Sequence, residues 1–105
     1  MACWLRRIDE CLQKGAYKLK RHVFIHAMEE GFEERHVLEA LGQGKLIEAM
    51  PREERCLICG RFQWSETSGD HLHIVVDLSK PDRIEIVTAY IPRMPWWSSP
   101  FRRTP

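Results

Sequence analysis

The clearest periodic signal in the chain lies in residues 71–91. Leu72, Ile74, Val76 and Leu78 alternate with His71, His73, Val75 and Asp77. Farther on, Ile84, Ile86, Thr88 and Tyr90 alternate with Glu85, Val87, Ala89 and Ile91. A period of two with branched side chains predicts strands that bury one face more than the other. Between the runs, Ser79-Lys-Pro-Asp-Arg83 has turn chemistry: Pro81 fixes φ, and Asp82 can bond the local backbone. The two runs are expected to form a hairpin at the middle of a sheet.

The earlier part of the chain has a helical period. Trp4, Leu5, Ile8, Cys11 and Leu12 predict a helix from about Cys3 to Lys14, ended by Gly15. Ala16 to Lys20 reads as a short link. A second helix is expected over Arg21–Glu30, closed by Gly31. A third is expected from Glu33 or Glu34 to Leu41, where the acidic start suits the positive end of the helix dipole. Lys45–Met50 then reads as a short strand stopped by Pro51. Arg55–Trp64 reads as another, with Cys56, Ile58, Phe62 and Trp64 on one face. Ser65 to Asp70 is a polar loop. The pattern therefore predicts one α+β domain over residues 1–91: three N-terminal helices packed on a four-stranded antiparallel meander. Residues 92–105 hold four of the six prolines, with Trp96, Trp97, Arg102 and Arg103, and predict an irregular tail. Burying tryptophan is favourable, so part of this tail is expected to pack back on the domain.

Composition narrows the function classes. The chain has 105 residues, enough for one compact domain. Its net charge of +1, from 16 basic and 15 acidic side chains, does not suit a protein that coats nucleic acid. The charges are uneven, however. Arg6, Arg7, Lys14, Lys18, Lys20 and Arg21 crowd the start, and no acid follows Glu85. No apolar run is long enough to span a membrane, and charges interrupt the N-terminus from Arg6 onward. A cytoplasmic protein is the expectation, with its four cysteines present as thiols or metal ligands.

Several short motifs occur in a telling order. His22 precedes Gly31-Phe32. Val37-Leu-Glu-Ala-Leu41 leads to Gly44-Lys-Leu-Ile-Glu48 and Pro51. Leu57-Ile-Cys-Gly60, His73-Ile-Val-Val76 and Ile86-Val-Thr-Ala-Tyr90-Ile-Pro92 follow, with a tryptophan after them. In this order and spacing the chain resembles, from about residue 4 to residue 97, a bacterial family known as domain of unknown function number 4258. Where that family has arginines after the helix histidine, this chain has His26 and Glu30. The resemblance implies a fold similar to small toxin ribonucleases of the RelE, ParE and BrnT kind, many of which pair with an antitoxin protein.

Candidate chemistry follows two lines. A metal-free ribonuclease needs groups for proton transfer and cations for the phosphorane charge. His22 and His26 are four apart and share a helix face. With His73 and Tyr90 they are the candidates for proton transfer; Lys20, Arg21 and Arg61 are the candidates for charge. Tyr90 and Thr88 alternate in phase with Ile84 and Ile86, which also fits a core-edge position. The partners of His71, His73 and Asp77 are expected among Glu85, Val87 and Ala89. The second line is zinc: Cys56-Leu-Ile-Cys59-Gly60 has knuckle spacing, and His71 and His73 would complete the set. Against this, the motif lies in a strand-like run, where residues three apart face opposite ways. Cys3 and Cys11 read as packing residues. Trp96 and Trp97, near Arg93, Arg102 and Arg103, suit base stacking or a protein contact. The function classes are thus a toxin-like endoribonuclease needing no cofactor, a non-catalytic module of the same fold that binds protein or nucleic acid, and a zinc-stabilised domain.

Overall fold

In the computed structural model, the backbone of residues 2–93 and 97–103 and the side chains of 4–93 and 99–101 are described. Readings that rest on Cys3, Trp96, Trp97, Arg102 and Arg103 side chains fall outside them. The elements run α1 (Ala2–Lys14), β1 (Tyr17–Leu19), α2 (Arg21–Glu30), α3 (Glu34–Gly42), β2 (Lys45–Met50), β3 (Arg55–Gln63), β4 (Gly69–Asp77) and β5 (Ile84–Tyr90). A tail ribbon follows, β6 (Trp97–Ser99) and β7 (Arg102–Arg103). No helix among the described residues is long and apolar enough to cross a membrane.

The predicted meander forms, but the sheet has five strands and is mixed, in the order β1-β5-β4-β3-β2. The fifth strand is the stretch expected as a link. Gly15 takes a left-handed φ of 71° and turns the chain. Tyr17, Lys18 and Leu19 then lie parallel to Ile84, Glu85 and Ile86. Lys20 N–H donates to the Ile86 carbonyl, and Ile84 N–H donates to that of Ala16. Three residues are too few for alternation to show, so this strand comes from its partner and not from its own pattern. The tail, expected to be irregular, contains the small antiparallel ribbon.

One sheet face lies under the helices. Ile8 of α1, Val23 of α2 and Val37, Ala40 and Leu41 of α3 meet Cys56, Ile58 and Phe62 of β3, Leu72, Ile74 and Val76 of β4, and Ile84, Ile86 and Ala89 of β5. Helix and sheet approach closely at Gly60, where an added Cβ would overlap the backbone of Ala40. The helical layer is tied down in two further places. Arg7 of α1 donates to the carbonyls of Leu78, Lys80 and Arg83, gripping the β4–β5 turn. His36, buried against Phe62 and Trp64, accepts the Glu33 N–H at Nδ1 and so caps α3. Because Nδ1 accepts, Nε2 carries the proton in the neutral ring.

A one-residue bulge changes the reading of β5. Val75 pairs with Thr88, and Val76 pairs with Ile86, so Val87 is extra. Ile84, Ile86 and Ala89 therefore face the helices, whereas Glu85, Thr88 and Tyr90 face away. Simple alternation had put Tyr90 and Thr88 with Ile84 and Ile86. Of the partners expected for this face, Glu85 does pair with Asp77, whereas His73 pairs with Tyr90 and not with Val87 or Ala89.

The far end of this second face carries a row of charge. Arg55, Asp77 and Glu85 are successive cross-strand neighbours, and Lys18 of β1 completes the row. Two acids side by side would repel. Arg55 meets Asp77 at 3.0 Å, while Arg83 at 3.0 Å and Lys20 at 3.9 Å meet Glu85. Burial pushes the Asp77 carboxyl up, but bonds from the Ser79 hydroxyl and N–H and the Arg55 guanidinium outweigh it and hold it at about 2.

Replacing Gly60 by Ala should therefore cost about 2–3 kcal/mol through overpacking and lower the Tm by roughly 10 °C or more; an unchanged thermal melt would contradict the tight α3–β3 crossing. The Asp77 carboxyl lies below its ordinary value of 3.8 when folded, so its contribution is present above about pH 4 and fades as pH falls toward about 2. Asp77→Asn should lose about 1–2 kcal/mol at neutral pH. Its urea-unfolding stability should then vary less than that of the parent chain across the acid window.

Candidate functional site

The sheet face turned away from the helices carries the side chains with chemistry. Four neighbouring strands each contribute one residue to a single row across it: Lys45 of β2 opposite Cys59 of β3, Cys59 opposite His73 of β4, and His73 opposite Tyr90 of β5. The next row holds Arg61 opposite His71. The uninterrupted β3–β4 register keeps these side chains in phase, and the Val87 bulge adds Tyr90 to them.

His73 is fully buried. Its Nε2 meets the backbone carbonyl of Pro100 in the tail, and its Nδ1 lies 3.4 Å from the Tyr90 hydroxyl. A carbonyl only accepts, so in the neutral ring Nε2 bears the proton and Nδ1 accepts from Tyr90. The ring centroids of His73 and Tyr90 are 5.4 Å apart. Beside them, the half-buried His71 ring meets Phe101 edge-on at 5.5 Å, and Lys45 Nζ lies 5.8 Å from the centre of the same Phe101 ring. Two consecutive tail residues thus cover the row.

The predicted site residues divide between this face and elsewhere. His73 and Tyr90 are brought together, with Arg61 exposed one row away. Lys20 sits at the sheet edge against Glu85, toward the opposite end of the face. His22 and Arg21 are exposed on the first turn of α2, a helix whose Val23 and Ala27 pack on the helical side of the sheet. His26 faces Glu29 at 3.9 Å and Glu30 at 3.7 Å. Glu30 in turn accepts the Ile91 N–H and meets Arg93 at 3.7 Å, fastening α2 to the end of β5. The two helix histidines therefore lie across the sheet from His73.

The four residues considered for zinc are also divided. Cys56 pairs with Val76 and belongs to the helical-side core, whereas Cys59 pairs with His73 on the other face. Burial raises both thiols to about 11, so at neutral pH both are protonated. Among the described residues, no group of three or more His, Cys, Asp or Glu side chains is placed to hold a metal ion. Two participants escaped the sequence reading: Lys45, one residue of an unremarkable edge strand, and the Pro100–Phe101 pair. The change of character after Ile91, with its run of aromatic and proline residues, was the available sign.

The sequence profile described as Domain of unknown function (DUF4258) matches residues 19–91. It covers most of the chain, from β1 to the end of β5, and the chain belongs to that family. No curated protein and no solved structure matches it significantly.

Proposed function

We propose that this member of the family is a small toxin-like endoribonuclease that works without a metal, with His73 as its proton-transfer group. The observation that carries the reading is the registered His73–Tyr90 pair on a sheet face that also presents Lys45, His71 and Arg61. In the productive arrangement Pro100 leaves Nε2. The ring then carries its proton on Nδ1, donated to the Tyr90 oxygen, and Nε2 accepts the proton of an RNA 2′-hydroxyl. The 2′-oxygen bonds to phosphorus, the bond from phosphorus to the 5′-oxygen breaks, and the departing oxygen takes a proton from solvent. Arg61 and Lys45 offset the charge that builds on the phosphorane. Tyr90 is a positioning residue: its hydroxyl can donate or accept, so it holds Nδ1 in place through the change of tautomer.

The antitoxin expected of a toxin-like protein would be a second chain that masks this face. A non-catalytic reading has one observation in its favour. The face already accepts a peptide segment, Pro100–Phe101, so a binding module that engages a protein segment is its natural form.

Purified chain incubated with single-stranded RNA should yield fragments ending in 2′,3′-cyclic phosphate. His73→Ala should slow cleavage by about a hundredfold or more. Tyr90→Phe should slow it by about tenfold and move its pH profile, as loss of a group that orients the base would. RNA left intact by the parent chain, and by a variant in which Phe101 is replaced, would sink the enzyme reading.

A further inference from the structure

Outside the proton-transfer pair, the most informative feature is the slot filled by Pro100 and Phe101. Three contacts from two strands converge on these two residues. His73 meets the Pro100 carbonyl oxygen, His71 lies edge-on to the Phe101 ring at 5.5 Å, and the Lys45 ammonium lies 5.8 Å from the ring centre. The slot thus holds a flat aromatic ring in contact with an imidazole and a cation, with an acceptor oxygen one residue away on a second imidazole. A nucleotide has the same parts in the same order: a base with two π-faces, then ribose and phosphate oxygens. Base stacking on aromatic side chains with a nearby cation is the usual means of holding single-stranded nucleic acid.

The occupant is also held in a way that permits exchange. The β6–β7 ribbon forms its own two-stranded sheet, apart from the five-stranded one, so it can leave without breaking a ladder bond of the main sheet. Two-stranded ribbons are marginal by themselves. Phe101 is 41% exposed although its ring fills the slot.

We infer that the His71–Lys45 slot is a base subsite for single-stranded RNA, and that Pro100 and Phe101 occupy it as an internal stand-in that RNA must displace. The inference rests on the second-face reading above for its location and does not require that cleavage occur. An unpaired base is the fitting ligand, because a base within a duplex has both faces stacked and cannot offer its face to the Lys45 ammonium.

Binding of a fluorescently labelled oligouridylate to the full chain, read by anisotropy at low salt, tests this. Phe101→Ala removes the competitor and should bind about tenfold more tightly than the parent. Adding His71→Ala should abolish most of that gain, whereas adding His71→Phe, which keeps a ring, should retain it. Thermal melts confirm that each variant is folded; should His71→Ala fail, Lys45→Ala, at an exposed position, takes its place and should also lose the gain. A Phe101→Ala chain that binds no better than the parent, or a gain that survives loss of both ring and cation, overturns the subsite. Capture of a protein segment by Phe101→Ala without any gain for RNA overturns it as well. Tighter RNA binding with no cleavage by any variant upholds the subsite while removing the nuclease reading, so the two proposals fail separately.

Discussion

A single extra residue governs which side chains share a surface in this protein. Without the bulge at Val87, strict alternation would carry the inward phase of Ile84 and Ile86 on to Thr88 and Tyr90, and Ala89 would point away from the helices. With it, Ala89 enters the core beside Ile74, and the Tyr90 hydroxyl meets His73. The same one-residue shift therefore completes the apolar layer on one side and the polar row on the other. A register slip would damage both, because each strand position has a side-chain partner only in one phase.

The two faces are stabilised by different physics. Under the helices, branched and aromatic residues are fully removed from water, and the fit is set by backbone approach at Gly60 and Ala40. The second face is held by paired charge at one end, Arg55 with Asp77 and Arg83 with Glu85, and at the other by the tail laid over His71 and His73. Buried carboxylates with dedicated guanidinium partners resist rearrangement, because removing one partner strands the other. Among the described residues, the tail is laid over this end by a hydrogen bond and ring contacts, with no ion pair. Rigidity and replaceability thus sit at opposite ends of one surface.

Much of this was legible from the pattern of residues, in proportion to the length of each signal. The three helices and the four meander strands each span enough positions for a period to show, and the phase of β4, with His71, His73 and Asp77 on one side, followed directly. Tyr17–Leu19 had no such length; its strand character is borrowed from β5. The bulge was hidden because Val87, Thr88 and Ala89 are each acceptable on either side of a sheet. The structural roles of Arg7, which meets carbonyls more than seventy residues away in sequence, and of His36, which caps its own helix, depend on placement and not on composition. For the site, His73 and Tyr90 were identifiable by type, but their meeting needed the bulge. His22 and His26 were correctly placed on one helix, and what the spacing could not tell was on which side of the sheet that helix lies.

The parallel pairing of β1 with β5 also has a temporal side. Tyr17 is synthesised well before Ile84, its register partner in the parallel pair. Until then the first strand has no ladder to join, and Arg7 has no turn to grip. Helices α1 to α3 can form locally as they appear, yet their apolar sides must wait for the sheet. Assembly of this domain therefore waits on β5 and the turn before it, which bring β1 and α1 into place.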